Sequence, residues 1–578
     1  MKKTGAQLAV FAMEQIGVKF TFGIPGTHTT ELYDEMGKSE QITPILVTHE
    51  GGGAFMADAI SRTSDSIGVL TIVPAAGLTH AMSGIGEAFL DGIPMLILAG
   101  GVHRTSGKSY QLHDFDQISL AKNITKAQFL IETNEDVIST IYKAYEIAIS
   151  GEPGPVFIEL PINVQLFSDS VSSMPKYVPT TTLAKAIDEQ IEQAVELLKT
   201  AKSPMMFVGW GALDAKEEAT KLAEMLVAPV SVTLQGKSAF PNNHPLYTSV
   251  FLGKSAKPSG QWALAQHDVL LTVGARMGEI STGSYGLESP KNLIHIDINP
   301  EVFDKNFKST VAIESDAKVA LQAIIAKLES DGFTSSVSKQ EVESKIASEN
   351  ESYNNTWLKE PQKEIVSPGH FFKRLRKLLN DDAMMVVDDG KHTFLAAELF
   401  TVLEPRQFIS PTDFNCMGYC VPATIATKLA NPDKQVIGIV GDGAFQMTGL
   451  EAITASAYQV PVVYFIFNDG ELGQISQFQK IPLNRKTCSV IGKANFEGVA
   501  LATGAEYLTM DNDSQIEEVI LKALEFTNEG KHVMVDINID YSQKTMLTKG
   551  VVKVNLSRFP FSEKVRFLTR AAKRHLLG

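Results

Sequence analysis

Residues 436–469 read VIGIVGDGAFQMTGLEAITASAYQVPVVYFIFND. The apolar run VIGIV predicts a strand, and Asp442 stands just past its carboxyl end. In open parallel sheets that edge is where ligands bind. Gly441 and Gly443 let the backbone approach a phosphate closely. The segment AFQMTGLEAITASA predicts a helix, whose N-terminus favours anions. PVVYFIF predicts the next strand, and Asp469 ends it 27 positions after Asp442. Adjacent strands would set the two carboxylates side by side. With a backbone carbonyl and phosphate oxygens they would complete an octahedral Mg²⁺ site. A lone GDG is an ordinary turn; the specific signal is the order strand, GDG, helix, strand, ND, Gly.

The same alternation extends through the chain. VKFTFGIPG (18–26), ITPILVTHE (42–50), SIGVLTIVP (66–74), IPMLILAGG (93–101) and PVFIELP (155–161) read as buried strands separated by helices. Such a pattern predicts a parallel sheet covered on both faces. SDSVSSMPKYVPTTT (168–182) reads as a linker. A second unit follows with PMMFVGW, PVSVTL, VLLTVGA and NLIHIDI as strands, and a third with AMMVVDD, QVIGIVGDG, PVVYFIFND and HVMVDINI. The polar stretch 329–357 between them reads as a helical linker, with disorder as the alternative. The expected architecture is three doubly wound α/β domains with mainly parallel sheets: 1–170, 183–330 and 360–545. A more basic tail, 546–578, reads as a helix over a neighbouring subunit.

The totals bound the function. A chain of 578 residues exceeds one core, and 44% apolar residues supply several. The net charge of −14 argues against a nucleic-acid or membrane surface. Three cysteines, with Cys416 and Cys420 spaced C-x3-C and no second pair, build neither a disulfide framework nor a zinc site. MKKTGAQLAVFAMEQIGVKF lacks a long apolar run and a cleavage site, and IPMLILA is too short to span a membrane. The expected location is the cytoplasm.

The GDG…ND stretch resembles the thiamin-diphosphate-binding motif, and residues 1–545 resemble the acetolactate synthase group of thiamin-dependent enzymes. The resemblance implies a pyrimidine-binding domain, a central domain and a diphosphate-binding domain. It implies that Asp442, Asp469 and the Glu471 carbonyl hold the metal. Gly441, Gly443, Ala444, Leu472 and Gly473 then join them around the cofactor. The family often has Asn at the Asp469 position. DDGKH (388–392) matches a diphosphate-contacting segment, so Gly390, Lys391 and His392 become cofactor contacts, with Lys391 where the family usually has Gln. FNCMGYCVPATIATKLA (414–430) is similar to the family's GMGFGLPAAIGA stretch. It implies Met417 as the apolar wedge under the bent cofactor and Asn415 as a backbone contact. HEGGGAFMADAISR (49–62) resembles the family's HE-x-x-A segment. Glu50, read as the end of a strand, would donate a proton to the aminopyrimidine N1′ of a partner subunit. A homodimer is then the minimum active unit, with a tetramer equally compatible.

The substrate positions depart from true acetolactate synthases. Ile280, in GARMGEISTG (274–283), stands where the family carries Arg. Pro161–Ile162 stands for its Pro–Lys pair, and Phe478 for the Trp of the acceptor pocket. Gly26 and Thr27 join Phe478 as expected pocket residues. His28, in GIPGTHTTE, resembles a proton-moving histidine of benzaldehyde lyase-like relatives. His113 stands at a family Gln and His80 at a family Asn; a histidine shuttles protons near neutral pH. VGWGALD (208–214) is a Gly-rich turn without GxGxxG, which leaves FAD open. The function expected is Mg²⁺- and thiamin-diphosphate-dependent acyl transfer from a 2-oxo acid to an acceptor carbonyl. The alternatives are 2-oxo acid decarboxylation, a 2-hydroxy ketone lyase, or a catalytically silent cofactor-binding relative.

Overall fold

The structure, a computed structural model, describes residues 1–180 and 186–577. The end of the expected linker (181–182) and the first residues of the central unit lie outside the described residues. Three parallel six-stranded sheets carry the fold. The first contains β1 (Phe20–Gly23), β2 (Thr43–Leu46), β3 (Gly68–Ile72), β4 (Met95–Gly101), β5 (Ala127–Leu130) and β6 (Pro155–Pro161). The second contains β7 (Pro204–Val208), β8 (Val230–Val232), β9 (Tyr247–Val250), β10 (Val269–Val273), β11 (Leu293–Asp297) and β12 (Val311–Glu314). The third contains β13 (Met384–Val387), β14 (Phe408–Ile409), β15 (Val436–Gly441), β16 (Val463–Asn468), β17 (Glu506–Met510) and β18 (Val533–Asn538). The first and third share one order, β2-β1-β3-β4-β6-β5 and β14-β13-β15-β16-β18-β17. The second runs β9-β8-β7-β10-β11-β12, the order of a doubly wound dinucleotide fold. The inner strands of each sheet are buried on both faces because helices cover both sides, while the edge strands Thr43–Leu46, Ala127–Leu130 and Glu506–Met510 are partly exposed.

Several sequence expectations change in detail. The linker residues Ser168–Ser170 pair antiparallel with Lys2–Thr4, tying the chain's start to the end of the first unit. Residues 329–357 form the helix Lys339–Asn355, anchored by buried Ile346 and Tyr353. The helix read after Asp442 is broken into Asp442–Thr448, a 3-10 turn Gly449–Glu451, and Ala452–Ala457. Glu50 does not end a strand. β2 stops at Leu46, and Glu50 opens the helix Glu50–Thr63, where a carboxylate suits the N-terminus. The His49 ring accepts from the Gly51 amide at 3.0 Å and caps it. Gly52 is tolerated in that helix because a Cβ there would lie 2.7 Å from the Glu451 carboxylate of the third unit. In the tail, the helix Met546–Arg558 packs on its own chain with Leu547 and Val554 buried, and a second helix spans Phe561–Leu577. No helix among the described residues is long and apolar enough to cross a membrane.

The first and third units meet through a buried ionic cluster. Arg62, with no exposed side-chain surface, bonds Asp58 at 2.6 Å and Asp91 at 2.9 Å. Tyr419, from the third unit, donates to Asp58 at 2.6 Å. Glu87 accepts the Thr412 and Cys416 amides, each at 3.0 Å. Arg62→Leu leaves two buried carboxylates without their cation and should cost about 3–5 kcal/mol in urea unfolding. Tyr419→Phe, which removes one hydrogen bond, should cost only about 1 kcal/mol. Equal losses in the two variants would contradict the ionic account.

Candidate active site

Three neighbouring strands of the third sheet deliver acidic residues to one edge. Asp388 follows β13, Asp442 follows β15, and Asp469 follows β16 by way of Asn468. Gly441 pairs with Phe467 across β15 and β16, so Asp442 and Asp469 emerge side by side. The Asp442 carboxylate accepts from the Gly443 amide at 2.8 Å and the Gly470 amide at 2.7 Å. Asp469 faces the Lys391 ammonium at 3.2 Å, which also lies 4.7 Å from the centre of the Tyr541 ring.

These residues border a cavity of about 450 Å³. Gly390, Lys391, His392, Asn415, Met417, Gly441, Asp442, Gly443, Ala444, Asp469, Glu471, Leu472 and Gly473 all line it, with Phe478 and Ile280. Asn415 sits in the left-handed region at φ 67° and Gly418 at φ 90°, turning the Met417 loop toward the cavity. Gly418 and Cys420 donate their amides to Asp388 at 2.8 and 2.7 Å and fix that loop. The tail helix Met546–Arg558 roofs the cavity with Leu547, Thr548, Val551 and Asn555.

The electrostatics are those of a site built for a charged guest. Burial, helped by the charge of Asp469, pushes the Asp442 carboxyl up to about 6. Burial also raises Asp469, against the pull of Lys391. Burial holds Asp388 near about 7 and Asp389 near about 6. His392 is pushed down to about 3 by burial and stays neutral, and among the described residues its Nε2 has no hydrogen-bond partner. A divalent cation between Asp442 and Asp469 would relieve both raised carboxyls. The Gly473 position is equally close: a Cβ there would meet Lys391 Nζ at 2.6 Å and Asp469 Oδ2 at 2.7 Å. The donor set and the glycine cradle therefore fit a cation with a diphosphate.

The expected first-unit residues lie elsewhere. Glu50, Gly26, Thr27, His28 and His113 do not border this cavity. His28 and His113 pack edge to face with ring centroids 5.3 Å apart, and burial followed by the charge of His113 lowers the His28 pKa. Glu50, 6% exposed, hydrogen-bonds His80 Nδ1 at 3.0 Å, and His80 stacks on His49. His49, Glu50 and His80 bring their ligand atoms within 4.8 Å of one another. In the central unit, a crevice at the switch point between β7 and β10 is lined by Gly211, Gly274 and Arg276. Arg276 pairs with both Glu152 and Asp413 there. The glycines of VGWGALD serve close packing: a Cβ on Gly209 would lie 2.1 Å from the Gly274 carbonyl oxygen.

The sequence reading missed Asp389, Tyr541, Val551 and Asn555. Asp389 lies in the quoted DDGKH stretch, and Tyr541 lies just past the carboxyl end of β18, where the strand-edge rule could have found it. Val551 and Asn555 carry no local signal, because only tertiary folding brings the tail over the site.

A glycine-lined cavity with paired carboxylates at the carboxyl edge of a parallel sheet defines the class: an enzyme that holds a diphosphate cofactor. Family models agree across the chain. Residues 3–120 match the thiamine pyrophosphate enzyme N-terminal TPP binding domain, 191–324 the central domain, and 388–537 the C-terminal TPP binding domain. The acetolactate synthase isozyme 3 large subunit of Escherichia coli is 30% identical, with 93% of this chain and 95% of that protein covered. A probable acetolactate synthase large subunit of Methanocaldococcus jannaschii is 31% identical, covering 93% and 92%. The acetolactate synthase large subunit of Haemophilus influenzae is 29% identical, covering 94% and 96%. The chain belongs to the thiamin-diphosphate enzyme family, among the relatives of acetolactate synthase large subunits.

The raised Asp442 carboxyl has a stability signature. The folded chain holds its proton up to about pH 6, whereas an ordinary Asp releases it near 4. The cofactor-free protein thus loses this group's contribution as pH rises from about 4 to 6. Asp442→Asn should remove that loss. At pH 7 the cofactor-free variant should be more stable than wild type by on the order of 1 kcal/mol in denaturant titrations. A variant less stable than wild type at pH 7 and equal to it at pH 4 would refute the assignment.

Proposed function

We propose that the protein cleaves a 2-oxo acid, releases CO₂ and transfers the remaining acyl unit to an acceptor carbonyl, using thiamin diphosphate and Mg²⁺. The observation that carries this reading is the Asp442–Asp469 pair at the ends of adjacent strands in a glycine-lined cavity. When bound, thiamin diphosphate supplies a carbon nucleophile for the donor carbonyl and takes up the electron pair left by C–C cleavage. Asp442, Asp469 and the Glu471 carbonyl hold the metal. Lys391 adds a positive charge on the diphosphate side, and His392 offers its unpartnered Nε2. Met417 supports the cofactor from below. Glu50 holds the proton that activates the aminopyrimidine, and His28 and His113 move substrate protons.

Glu50 lies away from its own chain's cavity, which supports a homodimer in which each first unit completes the site of its partner. Much of the cavity wall is apolar. Ile280, Phe478 and Val551 line it, and Lys391, the one cation among the described lining residues, is already paired with Asp469. This favours a neutral aldehyde or ketone acceptor over a second 2-oxo acid, and it keeps simple decarboxylation as a second reading.

Incubation with Mg²⁺, thiamin diphosphate and pyruvate, followed by CO₂ release and NMR of the products, separates these readings. Acetoin is the expected ligation product when acetaldehyde is supplied as acceptor. Acetaldehyde with no ligated product would establish the decarboxylase. Glu50→Gln should lower turnover on the order of 10²–10⁴-fold while retaining cofactor affinity. Undiminished turnover in that variant would remove Glu50 from the mechanism.

A further inference from the structure

A second cavity, of about 520 Å³, lies between the central and third units. Lys237, Tyr247, Lys257, Arg376 and Glu398 are among the side chains that line it. Its cations outnumber its carboxylates: Lys237, Lys257, Lys373 and Arg376 line it with Glu351 and Glu398. Lys237, 1% exposed, donates to Asn242 Oδ1 at 2.9 Å and to the Ala397 carbonyl at 2.8 Å, but meets no carboxylate. Lys257 is 8% exposed, and among the described residues its ammonium makes no hydrogen bond and no ion pair. The face of the Tyr353 ring lies 5.8 Å away, and the charge of Glu398 favours the ammonium without a direct ion pair. Among the described residues Arg376 Nη1 is buried without a hydrogen-bond partner, while Nη2 donates to the Leu379 and Asn380 carbonyls and lies 3.9 Å from Asp381. The buried carboxylate, Glu398, is engaged by the Tyr353 hydroxyl at 2.5 Å and the Leu547 amide at 3.1 Å.

A buried cation without a direct ion pair is destabilising, so a fold keeps one when something else supplies the countercharge. We propose that this cavity is a binding site for a small oxyanion, a phosphate or carboxylate group, held by Lys257 and Arg376 with Lys237 behind them. Burial pushes the Lys237 and Lys257 ammonium groups below their usual range, the charge of Lys257 adds to this at Lys237, and Glu398 opposes it at both; a bound anion would act in the same direction as Glu398.

The position gives the site a route to the cofactor cavity. The helix Lys391–Leu399 begins at Lys391 and His392 in the first cavity and ends at Glu398 and Leu399 in the second. Lys237 holds the last turn of that helix through Ala397. Glu398 holds the first turn of the helix that roofs the cofactor cavity, through Leu547. An anion seated beside Lys237 and Glu398 therefore acts where this helix is tied to the roof helix, and its binding should alter cofactor affinity.

The test uses the full chain loaded with Mg²⁺ and thiamin diphosphate, so that the diphosphate site is filled. Inorganic phosphate and malonate are titrated separately by calorimetry and thermal unfolding. Binding of either, weakened roughly 10–100-fold in both Lys257→Met and Arg376→Gln, is the expected result. Phosphate alone marks a phosphate site, and malonate alone a carboxylate site. Without added anion, Lys257→Met should melt at or above the wild-type temperature, because it removes an unpaired buried charge. Thiamin diphosphate affinity, measured with and without the anion, should shift in wild type and not in Lys257→Met. Binding unchanged by either substitution, no binding of either anion, or a Lys257→Met protein that melts well below wild type would each overturn the proposal.

Discussion

A guanidinium sealed from water holds the first and third units together. Arg62 carries its charge where solvation is lost, and Asp58, Asp91 and the Tyr419 hydroxyl that completes Asp58 make that tolerable. Such a cluster is weak evidence for net stability, because desolvation offsets much of the attraction. Its geometric value is large. Arg62 lies on the same helix as Glu50, and Tyr419 immediately precedes the helix Cys420–Ala430 that follows the Met417 loop. One ionic cluster thus sets where Glu50 faces and where Met417 sits. It also fixes them apart, so Glu50 does not border the cavity of its own chain.

The third sheet shows how little machinery the cavity needs. Parallel pairing of β15 and β16 brings two carboxylates to one edge with no designed contact between them. Burial then raises both, and the Gly443 and Gly470 amides only partly offset this at Asp442. The protein-only site is strained in charge, and a cation placed between the two carboxylates would relieve that strain.

Much of this was legible in the sequence, and the failures have physical causes. Continuous apolar strands announced the three parallel sheets, because burial on both faces leaves an unbroken signature. Asp442 and Asp469 were legible because strand ends are marked locally. Glu50 was misread as a strand end, since three glycines argue against a helix. The close approach of Glu451, which makes glycine necessary there, is a tertiary fact. The helix after Asp442 was read as continuous because helical composition does not reveal where Gly449 packs under Phe445. β5 was overlooked in a stretch of half-buried residues, Ala127–Leu130, that lacks the apolar run. The roof over the cavity was invisible, since its residues act only once the tail folds back.

The Lys391–Asp469 pair has a consequence for how such a sequence can change. At the two positions where the family resemblance leads one to expect Gln and Asn, this chain has a cation and an anion 3.2 Å apart. The exchange is neutral in sum, but each half alone is not. A chain with Asp469 and glutamine would hold an uncompensated anion beside Asp442, and a chain with Lys391 and asparagine would leave a bare ammonium in the cavity. Drift between the two pairings must therefore cross a handicapped intermediate, so the two positions are expected to be inherited as a unit across this chain's own lineage.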